Sequence, residues 1–224
     1  MNKKYLLPLI LAGMTALASA LLMGSDAFTA APIAEQKQQA LLRSLEMLMP
    51  DGNYDNDILA EKFTVYEPAV LGHRKATDVY LGYLKGQLSV AAIPVTAQNG
   101  YSGDIELMVG VKADGSITAV EVLSHKETPG LGDLIERRKG DWLQQFEGQQ
   151  LNDKTQAEWS VKKDGGQFDQ ITGATITPRA VVLAVKKALT YFERHKTQWQ
   201  KQDWRTRVHQ TMPSEPRSHG DNDE

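Results

Sequence analysis

Ile105-Glu106-Leu107-Met108-Val109-Gly110-Val111 and Ile117-Thr118-Ala119-Val120-Glu121-Val122-Leu123 lie on either side of Asp114-Gly115. Two β-rich runs around an Asp-Gly pair predict an antiparallel hairpin, because glycine supplies the positive φ that a tight turn needs. The same grammar extends outward in both directions. Upstream, Val79, Leu81 and Tyr83 alternate from Thr77 onward, and Leu88-Ser89-Val90-Ala91-Ala92-Ile93 reads as a buried strand. Downstream, Asp164-Gly165-Gly166 between Trp159-Ser160-Val161 and Phe168 predicts a second hairpin. Between the hairpins, Leu131 to Lys139 reads as a short helix, and Trp142, Leu143 and Phe146 as core.

Helices are expected at the ends. Ile33 to Met49 carries Leu41, Leu42, Leu45, Leu48 and Met49 on one stripe and stops at Pro50-Asp51-Gly52. A last helix opens at Thr177-Pro178, with Thr177 as cap and Pro178 in the first helical position. Val181, Val185, Ala188 and Phe192, flanked by Val182 and Leu189, form its buried stripe. Hairpin strands with helices at the ends define an α+β class with an antiparallel sheet and flanking helices.

The N-terminus bears on location. Tyr5 to Met23 is uncharged and mostly apolar, and its nineteen residues at ~1.5 Å each give roughly 28 Å, close to the ~30 Å hydrocarbon thickness. Lys3 and Lys4 precede it, whereas Asp26 and Glu35 come before the next basic residue, Lys37. The positive-inside rule then leaves residues 1–4 in the cytoplasm and the remainder outside. Ala18-Ser19-Ala20 has the form of a signal-peptide cleavage site. The apolar run continues through Leu21, Leu22 and Met23, however, which favours a retained anchor over 5–23. The expected organisation is that anchor, a helical linker region packing on the domain over 24–76, the main domain over 77–200, and a polar, disordered tail over 201–224.

Composition excludes several classes. A net charge of -3 with no basic face argues against nucleic acid. With no cysteine, thiolate zinc sites, iron–sulfur clusters and thiol catalysis are excluded. The acidic run Asp51 to Asp57 looks superficially like a calcium loop, but Asn56 replaces the turn glycine and Lys62 the bidentate glutamate. His73, His195, His209 and His219 have no metal-ligand spacing.

Chemistry concentrates in Asp169-Gln170-Ile171-Thr172-Gly173-Ala174-Thr175-Ile176-Thr177-Pro178. Gly173 and Ala174 allow close backbone approach, and the following helix turns its unpaired N–H groups and positive dipole end toward the loop. Such a place suits a phosphate, and a nearby hydroxyl could hold one as an ester. By spacing alone the segment reads more readily as an ordinary capped turn entering a helix. Asp169-x-x-Thr172-Gly173-Ala174-Thr175 resembles the flavinylation motif of FMN-binding domains in two redox complexes. These domains belong to the G subunit of the Rnf (Rsx) electron transport complex and to the C subunit of the sodium-translocating NADH:quinone oxidoreductase. His125-Lys126-Glu127-Thr128-Pro129-Gly130-Leu131-Gly132 and Gly100-Tyr101-Ser102-Gly103 resemble that family's other signatures. The short chain and the form of the Gly100 block are more similar to the Rnf member of the pair.

The resemblance implies FMN attached covalently to Thr175 through a phosphoester, by a flavin transferase that uses FAD and releases AMP. Asp169 matches the acidic residue that the transferase requires, and Thr172, Gly173 and Ala174 the positions before the attachment. Glu127, Thr128, Gly130, Leu131 and Gly132 are the implied noncovalent flavin contacts. By their own chemistry, His125 could bond flavin or phosphate but reads as readily as a surface or structural histidine, and Arg179 at the helix start could pair with the phosphate but reads more readily as a solvated arginine. Lys162 and Lys163 read as a solvated strand edge. The resemblance further implies an electron carrier on the periplasmic side of a bacterial inner membrane. It would dock on other membrane subunits of a complex that moves electrons between ferredoxin-type and nicotinamide carriers and translocates ions. A membrane-tethered regulatory or sensor domain that binds FMN outside a chain of carriers is the alternative.

Overall fold

The computed structural model of the chain describes residues 8, 10–17, 19, 36, 38–152 and 156–200. The chain divides into two compact units, Met1–Ser44 and Leu45–Glu224. In the first, residues 8, 10–17 and 19 of the expected span are helical, as are 36 and 38–44; the remainder of the span lies outside the described residues, as does the 201–224 tail. Among the described residues no helix is long and apolar enough to cross a membrane.

The second unit is α+β. Five strands, β1 (Lys62–Val65), β2 (Thr77–Leu84), β3 (Gln87–Ala97), β4 (Ile105–Lys112) and β5 (Ile117–Ser124), form one antiparallel meander in sequence order. The hairpin around Asp114-Gly115 forms as expected. Gly115 takes φ 88°, and Asp114 Oδ1 accepts from the Ser116 N–H at 2.8 Å. β1 comes from the stretch expected to be helical linker. β3 runs four residues past Ile93, through Pro94. There β3 pairs with β4 but no longer with β2, so a missing N–H on that side costs no ladder bond. The Pro94 carbonyl instead accepts from buried His73 Nε2 at 3.0 Å.

Both sheet faces are covered. Val79, Leu81, Ala91, Ile93, Leu107 and Val109 point into a core shared with Val181, Val185, Leu189 and Phe192 of the long helix Ile176–Trp199. Trp142, Phe146, Trp159 and Phe168 join the same core, with the Phe146 and Phe168 rings stacked at 4.7 Å. On the other face Leu48 and Met49 close over Gly82 and Gly110, which lack the side chains that would collide with them.

Three local expectations are corrected. Asp164-Gly165-Gly166 does not close a hairpin: Lys162–Asp164 is a single 3-10 turn, and Val161 and Phe168 meet in an isolated parallel bridge. Gly166 packs so tightly on the Ser160 carbonyl that the chain doubles back there instead of extending. Only Gly132–Ile135 of the 131–139 stretch is helical, as a 3-10 turn that ends where Glu136 becomes extended. The long helix begins two residues early, so Thr175 and not Thr177 holds the N-cap position. Pro178 fits in its first turn because those N–H groups have no intrahelical acceptor to lose.

Candidate functional site

Ile171, Thr172, Gly173 and Ala174 make a tight turn, closed by the Ala174 N–H on the Ile171 carbonyl at 3.1 Å. Gly173 sits at φ 83°, a conformation open to glycine at no steric cost. The chain then enters the helix directly, and Thr175 ends up exposed with no cap bond from its side chain. Its hydroxyl therefore stands free at the positive end of a 24-residue helix. The start of the loop is braced from the core: Trp142 Nε1 donates to the Asp169 carbonyl at 2.8 Å, and the Asp169 N–H to Gln145 Oε1 at 2.6 Å. The exposed Asp169 carboxylate meets Lys162 Nζ at 2.5 Å.

The second signature folds beside the first. Thr128, Pro129, Gly130 and Leu131 form a turn with Leu131 N–H on the Thr128 carbonyl at 3.1 Å and Gly130 at φ 78°, the Pro-Gly order of a type II turn. Leu131 is 42% exposed and touches the 171–174 turn: a Cβ on Gly173 would lie 2.8 Å from its Cδ2. Two stretches some forty residues apart thus share one small surface.

Glu127 ties these pieces together from beneath. It is only 5% exposed. One carboxylate oxygen accepts the Ser102 N–H at 2.9 Å, and the other accepts the hydroxyl of Thr177, itself 1% exposed. Gly132 lies so close that a Cβ would come within 2.8 Å of Glu127 Oε2, and one on Gly100 within 3.0 Å of Oε1. All three signature blocks therefore converge on a single buried carboxylate. Of the residues expected to contact a flavin, Thr128, Gly130 and Leu131 are exposed, whereas Glu127 and Gly132 are buried at this junction. Thr172, Gly173 and Thr175 are exposed and Ala174 is partly buried.

His125 stands one step behind. Its Nδ1 accepts the Glu127 N–H at 3.0 Å, which leaves the proton on Nε2 to face Glu136 Oε1 at 3.0 Å. Burial opposes charge on Glu136, but hydrogen bonds from Arg138, Lys139 and His125 outweigh it and hold its pKa at about 2. Lys139 also bonds buried Asp133 at 2.6 Å and lowers its pKa.

Arg179 forks onto Asp164, Nε to Oδ2 at 2.6 Å and Nη2 to Oδ1 at 2.7 Å, and its Nη1 lies 3.5 Å from the Thr175 carbonyl. That fork lowers the Asp164 pKa and raises that of Arg179. Lys162 and Lys163 are exposed, as expected, but on the 3-10 turn and not on a strand edge. The braces Trp142, Gln145 and Lys162 carry no local signature, and although Ser102, Glu127 and Thr177 lie in the signature blocks, no local pattern announces their junction. Only the fold brings them to the loop.

Comparison with known proteins identifies the family. Residues 100–190 match the FMN-binding domain family, an interval that spans all three blocks. The chain is 49% identical over 166 residues to the G subunit of the ion-translocating oxidoreductase complex of Pseudomonas aeruginosa (strain UCBPP-PA14), covering 74% of this chain and 78% of that protein. It is 46% identical over 190 residues to the corresponding G subunit of Vibrio cholerae serotype O1 (strain M66-2), covering 85% and 90%. With the G subunit of Aliivibrio fischeri (strain ATCC 700601 / ES114) it shares 45% identity over 192 residues, covering 86% and 91%.

Proposed function

The chain belongs to the G-subunit family of ion-translocating oxidoreductase complexes, and from that premise we propose that it carries FMN covalently on Thr175 as an electron carrier of such a complex. The observation that carries the attachment is the free Thr175 hydroxyl, exposed and without a cap bond where the helix dipole favours an anion. The residues around it fit the group. A tight glycine turn precedes it, no acidic side chain occupies the helix's first turn, and the exposed Pro129-Gly130-Leu131 turn adjoins it. Bound FMN would supply one- and two-electron chemistry that none of the protein's own side chains offers.

In attachment, Thr175 Oγ forms a bond to the FMN-side phosphorus of FAD. The pyrophosphate bond breaks, AMP leaves and the hydroxyl gives up its proton. A phosphodiester with one negative charge remains. Thr172 is exposed as well, but Thr177 is withheld, because its hydroxyl is buried and already donates to Glu127. Asp169 presents an exposed carboxylate six residues before the acceptor, where a flavin transferase could engage it. The 5–23 segment is read as an anchor that leaves the domain on the periplasmic face of the inner membrane, beside the complex's other membrane subunits.

Coexpression with a flavin transferase, followed by intact-mass measurement and peptide mapping, tests the reading. The expected product carries one FMN on Thr175, and Thr175→Ala stays bare with its melting temperature little changed. In-gel flavin fluorescence that survives in Thr175→Ala would refute the assignment.

A further inference from the structure

The 3-10 turn Lys162–Asp164 grips the attachment loop at both ends with opposite charges. Lys162 reaches Asp169 at the start of the loop, and Asp164 takes Arg179 at its close. Neither pair is a convincing source of stability. Their side chains are 62% and 63% exposed in the first and 40% and 40% in the second, and such surface pairs contribute little.

Arg179 is also on the wrong end of its helix for the dipole. The first turn of Ile176–Trp199 holds no acidic residue, and the arginine follows at its edge, although a cation there is disfavoured and an anion favoured. The aspartate that answers it comes from a different element and engages only two of its nitrogens, Nε and Nη2. The third, Nη1, donates to the backbone carbonyl of Thr175 at 3.5 Å, which holds the guanidinium beside the residue that bears the hydroxyl. A planar guanidinium fixed by a bidentate partner has already lost much of its rotamer freedom, so a further bond costs it little entropy.

Resting on the covalent reading above, we propose that Arg179 is the counter-cation of the phosphoester on Thr175, with Asp164 a positioning residue that keeps the guanidinium turned toward it. The phosphate then satisfies both the helix end and the arginine. Attachment makes Arg179 electrostatically favourable where the bare chain leaves it opposed by the dipole.

The test is flavinylation of the full chain at limiting flavin transferase and FAD, followed by intact mass at low and high salt, for wild type, Arg179→Ala, Arg179→Lys and Asp164→Asn. Melting temperatures of the bare proteins check that each variant folds. Arg179→Ala is expected to load about two- to fivefold more slowly at low salt, the range of one exposed charge at a helix terminus. Arg179→Lys restores part of the rate, and Asp164→Asn falls between wild type and Arg179→Ala. The gap closes at about 1 M salt, where the screening length is about 3 Å. A purely structural role would show instead as a salt-independent defect that tracks the bare melting temperature. Arg179→Ala loading at the wild-type rate at both salt levels overturns the proposal, as does a defect insensitive to salt. Wild-type chain that stays bare overturns the attachment itself and this inference with it, so the two failures are told apart by the wild-type lane alone.

Discussion

Two threonines two residues apart show how much a single side chain's surroundings decide. Thr175 and Thr177 are the same residue type beside the same helix start, yet one is exposed and the other 1% exposed and bonded to Glu127. The sequence marks both as hydroxyls near a cap and cannot say which is free, because the answer depends on a carboxylate fifty residues away. Thr177→Val keeps the shape and removes the donor, leaving one oxygen of a buried carboxylate without its partner. It is expected to destabilise the domain by about 1–3 kcal/mol, measured as a lower urea midpoint at unchanged m-value. An unchanged midpoint would mean the bond contributes nothing. Glu136 makes a second prediction at this scale. Its folded pKa of about 2 lies below the ordinary 4.5, so its contribution to stability is complete above pH 4.5 and is lost as pH falls toward 2. The melting-temperature gap between wild type and Glu136→Gln should therefore be full at neutral pH and close over that acid window. A gap of constant size would show that the ionised carboxylate is not its source.

At the scale of elements, the loop before the long helix depends on a turn whose backbone only glycine adopts readily. Gly173→Ala places a Cβ at φ 83° and 2.8 Å from Leu131 Cδ2. A left-handed residue costs about 1–2 kcal/mol, and the exposed end of the Leu131 side chain must turn aside. Lower thermal stability together with slower FMN loading is expected; intact mass and a melting curve read both. The helix that follows was legible from its apolar stripe, Val181, Val185, Ala188 and Phe192, all buried. Its first residue was not. Thr177-Pro178 looks like a cap followed by a first helical position, but helix ends are set by tertiary partners as much as by local preference, and Glu127 draws Thr177 inside. The Asp164-Gly165-Gly166 stretch misleads for a related reason. Glycines announce a change of direction without saying whether strands flank it, and here the Ser160 carbonyl packed on Gly166 selects a 3-10 turn.

Across the whole domain, the sheet is a layer closed on both sides. One face packs on the long helix, and the other receives Leu45, Leu48 and Met49. Gly110 marks the closest approach: a Cβ there would lie 2.1 Å from Thr118 Oγ1 and 2.4 Å from the Leu48 carbonyl, which Thr118 also bonds. Gly110→Val should therefore lift the 45–49 segment off the sheet and destabilise the domain by at least about 1–3 kcal/mol, seen in the melting temperature. Hydrogen exchange localises the loss, with residues 45–49 losing protection more than the long helix. Uniform loss would place the strain elsewhere. The arrangement also explains where the 169–175 loop sits. A sheet buried on both faces is rigid, and the helix packed on it presents its free N-terminus, with Thr175, at the rim beside the Pro129-Gly130-Leu131 turn.

From the order of residues alone come the β4–β5 hairpin, β2 and β3 as separate extended runs, the amphipathic helices, and the run of small and hydroxyl residues that enters the last helix. Each of these depends on neighbours within a few positions, where alternation and turn glycines act directly, whereas the attachment proposed at Thr175 comes from the resemblance of its motif and not from spacing. The meeting of residues 100–103, 125–132 and 169–179 on Glu127, and the grip of one 3-10 turn on both ends of the loop, were decided by tertiary structure. Those contacts join segments tens of residues apart, and their register follows from how the sheet and helix pack, which no local pattern encodes.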